Sequence, residues 1–125
     1  MAPTVAVLLV AALSFGFAML EMFLWNTPWL GLKVQASLGV PAGCAEHVTL
    51  WAKNQGLYNL FLVAGLIWAV ICRDPHYRFL LSLFFLGCVG IAGLYGALTV
   101  KALFLVAQTL PAAIALSVVI WRRGS

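Results

Sequence analysis

Apolar residues run through this chain in four long blocks, near residues 5–25, 55–72, 79–99 and 102–121, with polar residues and glycine or proline gathered between them. Each block approaches the roughly 20 residues that carry a helix across about 30 Å of hydrocarbon. The pattern predicts an all-α, four-helix transmembrane bundle with a long first extramembrane loop. Residues 1–125 then form a single integral membrane domain.

The connections differ in kind. Arg73-Asp-Pro-His-Tyr-Arg78 is short and polar, and Pro75 interrupts the helix, so the second and third spans are expected to be antiparallel neighbours. The third and fourth are joined more tightly still, around Lys101. The connection over residues 26–54 contains Pro28, Gly31, Gly39, Pro41 and Gly43, which exclude one uninterrupted helix and leave enough chain to fold over the outer mouth. Pro41 suits a helix start, so residues 42–53 are expected to run on into the second span. Trp25, Trp29 and Trp51 would mark the outer interface as an aromatic belt.

Composition agrees with this pattern. The chain is 65% hydrophobic and 8% charged, with mean hydropathy +1.09, where a soluble domain carries roughly a quarter charged residues. The net charge of +4 comes from Lys and Arg at span ends, where they meet lipid headgroups, so the implied partner is membrane lipid and not nucleic acid. No Lys or Arg precedes the first block, which also runs past a normal signal-peptide core, so a cleaved signal is not expected. Cys44, Cys72 and Cys88 fall in a loop, at a span end and mid-span without metal-ligand spacing; they read as small apolar fillers, and neither a metal nor a cofactor is implied.

Orientation follows from the basic residues. Arg73, Arg78, Arg122 and Arg123 fall on one side, Lys33, Lys53 and Lys101 on the other, which favours both termini inside. The excess is small enough to leave dual topology open. Gly87, Gly90, Gly93 and Gly96 recur at steps of three along the third span, with the pairs Ala92/Gly96 and Gly93/Ala97. Such a line winds around the helix and predicts a central span touching more than one neighbour, within a monomer or in a homo-oligomer.

The chemistry concentrates on Glu21, the only carboxylate inside any block. An ionisable group in hydrocarbon costs at least about 2.5–3.5 kcal/mol, so it persists only with partners or a purpose. At 1.5 Å per residue, Glu21 lies about 6 Å below Trp25, Asn59 about 9 Å below Lys53, and Tyr95 and Gln108 about 9–10 Å below Lys101. All four spans therefore contribute to one polar layer. Gln55 and Asn59 are i and i+4 on the second span, Tyr95 and Thr99 on the third. Carboxamides facing lipid would be unpaired, so Gln55, Asn59 and Gln108 are expected to face inward and to bond one another or Glu21.

Two readings of that layer compete. Interhelical polar bonds can simply hold a bundle together, at about 0.6 kcal/mol each on average. A carboxyl with so large a desolvation cost instead suggests a proton carrier, exchanging a proton for a ligand or acting as general acid or base, with Tyr95 or His47 as the second proton-transferring group. Glu46 and His47 sit just before the second span, where an exposed pair more often marks a solvated helix end. Pro111, three residues after Gln108, would kink the fourth span and widen a cavity at that depth.

Four segments carry a family resemblance: Glu21-Met-Phe-Leu-Trp25; Asn54-Gln-Gly-Leu-Tyr58-Asn59 followed by Phe61; Ala92-Gly-Leu-Tyr-Gly96 with Thr99; and Gln108-Thr-Leu-Pro-Ala112. In order and across nearly the whole chain, they resemble a family of small bacterial four-span membrane proteins catalogued as domain of unknown function one-three-zero-four. The resemblance implies a bacterial inner-membrane protein and no particular reaction. More distantly, the chain is similar to small multidrug transporters in its four short spans and first-span carboxylate. It departs from them in its long first loop and one-sided polar layer. The four-span glutathione and eicosanoid enzymes share Asn and Gln early in the second span, but their arginine-rich signature there is absent.

The leading expectation is an outward-facing pocket that binds a small amphipathic or lipophilic molecule, formed by Glu21, Trp25, Gln55, Asn59, Tyr95, Thr99 and Gln108 under the first loop. The alternatives are proton-coupled export by a dimer, a membrane enzyme doing acid/base chemistry on a lipophilic substrate, and a structural membrane partner. An exporter needs a polar path on past Ser14; an enzyme needs a second proton-transferring group near Glu21.

Overall fold

The structure is a computed structural model that describes residues 2–40, 45–99 and 105–124, with side chains described for 2–40, 48–99 and 105–123. The described residues form helices α1 (Ala2–Met22), α2 (Gly31–Ser37), α3 (Ala45–Ile71) and α4 (Pro75–Thr99), then a π-helical turn (Leu105–Thr109) leading into α5 (Leu110–Gly124). The chain is all-α. Four stretches are long and apolar enough to cross a membrane: Ala2–Met22, Val48–Ile71, Pro75–Thr99 and Leu105–Arg123. Large apolar side chains such as Phe84, Ile91 and Leu98 point outward, at 64%, 70% and 77% exposure, the reverse of a soluble surface.

The helix ends have local causes. Asp74 caps α4, its Oδ1 accepting from the backbone N–H of His76 at 2.8 Å and of Tyr77 at 3.4 Å, while Pro75 takes the first helical position, where no N–H is needed. Arg78 Nε donates to the carbonyl of Cys72 at 2.8 Å, closing the end of α3. Pro111 has no N–H for the carbonyl four residues back, so the α-helical ladder cannot pass through it, and the π-helical turn stands immediately before.

The chain divides into two compact units, Met1–Ser14 with Leu62–Ser125, and Phe15–Phe61. In the first, segments of α1, α3, α4 and α5 bury a common core of Val7, Val10, Leu66, Leu86, Val89 and Val119, extended by Ala11, Ala112 and Ala115. Two glycines of α4, Gly90 and Gly93, meet the stretch that leads into and through α5. A Cβ on Gly93 would sit 2.7 Å from the Thr109 backbone nitrogen, so only glycine admits the π-helical turn there. Thr109 Oγ1 then donates to the carbonyl of Gly90 at 2.9 Å. Phe85 of α4 fills the space above Gly65 of α3, while nothing lies within 4 Å of Gly87. Helix α4 thus packs against both α3 and α5.

The second unit holds the C-terminal part of α1, α2 and the first part of α3. Here α1 ends at Met22, one turn earlier than the apolar block suggests, because the following residues find better partners in the loop. Phe23 and Leu24 both donate to the Met19 carbonyl, and Thr27 Oγ1 donates to that of Leu24 at 2.7 Å while accepting from the Gly31 N–H at 3.0 Å. Gln35 Nε2, on α2, reaches back to the Trp25 carbonyl at 2.7 Å. A Cβ on Gly31 would lie 2.0 Å from the carbonyl oxygens of Leu24 and Trp25, so this fold-back requires glycine.

Candidate functional site

Glu21 lies in the last turn of α1 and is half-buried. Asn59, buried on α3, donates from Nδ2 to Glu21 Oε1 at 2.5 Å. Small residues make the meeting possible. Ala52, Gly56 and Asn59 follow one another at helical spacing along the buried face of α3, and Ala18 opposite them on α1 is fully buried. A Cβ on Gly56 would stand 2.4 Å from Met22 Cγ and 3.0 Å from the Ala18 carbonyl, so the two backbones approach closely enough for a short carboxamide to reach the carboxyl.

Beside this pair the loop borders a half-open cavity of ≈ 370 Å³, lined by Met22, Phe23, Trp25, Asn26, Thr27 and Lys53. The lining combines apolar and aromatic side chains with a carboxamide, a hydroxyl and a lysine. Glu21 is not in the lining; its neighbour Met22 is. Asn26 and Thr49 exchange long hydrogen bonds at 3.4–3.5 Å that tie the turn to α3.

The expected site residues divide on inspection. Trp25 is buried, in contrast to an interfacial belt position, because the chain folds back over this point; Trp29 and Trp51 are exposed. Its Nε1 and Gln35 Oε1 have no hydrogen-bond partner among the described residues. Gln55 is exposed instead of sharing the Asn59 face, since the close contact runs through Gly56 and Gln55 stands about 100° around the helix from it. Tyr95, Thr99 and Gln108 belong to the other unit: Tyr95 is exposed, Thr99 Oγ1 donates to the Tyr95 carbonyl one turn back at 2.7 Å, and Gln108 is half-buried in the π-helical turn. His47 falls on α3, with its side chain, like that of Glu46, outside the described residues; Cys44 and Lys101 also lie outside them. No cluster of three His, Cys, Asp or Glu side chains suited to a metal is present among the described residues.

Sequence reasoning missed Gly56 and Gln35. The pair Ala52/Gly56 has the same small-xxx-small spacing as the glycine line of α4 and was available as a signal. Gln35 offered none, because its role depends on how the loop folds.

Four membrane-length apolar helices and a carboxyl–carboxamide pair between two of them define a small multi-pass membrane protein class. The family model described as "Protein of unknown function (DUF1304)" matches residues 8–120, and the chain belongs to that family. No curated protein and no solved structure matches it.

Proposed function

We propose that the protein sits in the bacterial inner membrane with both termini inside and binds a small amphipathic molecule at its outer end, with Glu21 as the ionisable element. The observation that carries this reading is the Asn59–Glu21 bond one residue from a half-open cavity whose lining mixes apolar and aromatic side chains with Asn26, Thr27 and Lys53. Met22, Phe23 and Trp25 suit the apolar part of a ligand, and Asn26 and Lys53 its polar end. Glu21, held by Asn59, is placed to exchange a proton as the ligand settles. The lysine at this end and the arginines near the other span ends support the orientation. Tyr95, Thr99 and Gln108 do not enter the proposal.

The test screens a panel of amphipathic amines, alcohols and carboxylates against purified wild-type protein, Glu21→Gln and Lys53→Gln in detergent, following binding and proton release together. Binding accompanied by proton uptake or release in wild type and not in Glu21→Gln is the expected result. Binding by wild type and Glu21→Gln with identical proton balance would leave the Glu21–Asn59 pair as a packing contact and overturn the assignment.

A further inference from the structure

A second cavity, of ≈ 250 Å³, lies in the unit formed by Met1–Ser14 and Leu62–Ser125, at the end where the arginines gather. Three arginines line it, Arg78, Arg122 and Arg123, together with the hydroxyl-bearing Thr4 and Ser82. Its deeper wall is apolar, from Val7, Ala69 and Val119.

Each arginine is oriented by a contact of its own. Arg78 Nε donates to the Cys72 carbonyl, which holds the guanidinium plane and leaves its terminal nitrogens to meet a ligand. The Arg123 guanidinium lies 4.3 Å from the centre of the Phe79 ring, and that of Arg122 lies 6.0 Å from Trp121. No carboxylate is among the described residues that line the cavity. Asp74, the acid closest in sequence, is engaged in capping α4.

Three arginines around one cavity supply the donors that the paired oxygens of a phosphate require, and basic pockets between membrane helices suit lipid headgroups. A free phosphate would gain nothing from the apolar wall, whereas a lipid presents phosphate and hydrocarbon together. We propose that this cavity takes the phosphate of a negatively charged membrane phospholipid, with the acyl chains lying outside along the apolar helix surfaces.

The test uses the full chain, stripped of lipid in detergent and then reloaded with phosphatidylglycerol, with the bound lipid counted by native mass spectrometry. In wild type, phosphatidylglycerol is expected to remain bound against a tenfold excess (~10 equivalents) of phosphatidylcholine. The triple change Arg78→Gln, Arg122→Gln and Arg123→Gln should weaken retention by roughly tenfold or more. Arg73→Gln, which removes a charge from the same connection without touching the cavity, should change it by less than about twofold. Equal displacement by phosphatidylcholine, which needs no variant to observe, would overturn the proposal, as would an Arg73→Gln loss matching the triple change. Complete release by millimolar inorganic phosphate would reassign the site to the free anion.

Discussion

Replacing Asn59 with leucine keeps the branched side-chain shape and removes the only donor that the described residues show for Glu21. The carboxyl then stays in place, half-buried and unpaired. Replacing Glu21 with leucine instead strands the carboxamide of Asn59, which is 7% exposed. Leaving a buried polar group unpaired costs about 1–3 kcal/mol in general, but polar bonds between membrane helices average about 0.6 kcal/mol and reach about 1.7. Each single change is therefore expected to destabilise by about 1 kcal/mol, roughly a fivefold shift in the unfolding equilibrium. The double change removes both polar groups and should cost less than the sum, with a coupling of about 0.6–1.7 kcal/mol. The assay is reversible unfolding in mixed micelles by increasing detergent denaturant, followed by tryptophan emission for all four proteins of the cycle. Additivity within about 0.3 kcal/mol would refute the pairing.

Two further substitutions probe close backbone approaches. Gly93→Ala sets a Cβ 2.7 Å from both the Thr109 nitrogen and Gln108 Cβ, and is expected to destabilise the chain by about 1–3 kcal/mol in the same unfolding assay; an unchanged midpoint would contradict the packing of the π-helical turn against α4. Gly31→Ala meets two carbonyl oxygens at 2.0 Å and should release the loop, read as accelerated hydrogen exchange at the Gly31 and Leu32 amides; unchanged protection would contradict the fold-back onto Thr27.

The four long helices were legible because hydrocarbon leaves so few alternatives: a span must be a continuous apolar run, and its backbone must satisfy itself. The disturbance before Pro111 was legible for a related reason, since a single residue decides it, whereas Pro75, read as interrupting the helix within a connection over residues 73–78, instead opens α4. That Asn59 would pair inside the bundle was legible, because a carboxamide in a membrane helix needs a partner, but the sequence left open whether that partner is Glu21 or another carboxamide. What escaped depends on contacts distant in sequence. The end of α1 at Met22, the burial of Trp25 and the outward turn of Gln55 follow from Thr27, Gln35 and Gly56, whose importance appears only when the loop and two helices come together. Depth alone gathered residues of both units into one layer; contact joins Glu21 to Asn59.

The bonds that shape this molecule also differ in when they can form. Those that close the turn between α3 and α4 span six residues or fewer, so that hairpin is complete almost as soon as it is made. Asn59 follows Glu21 by 38 residues, and at roughly 5–20 residues per second the ribosome delivers it on the order of 2–8 s later. For that interval the first helix carries a carboxyl without its amide.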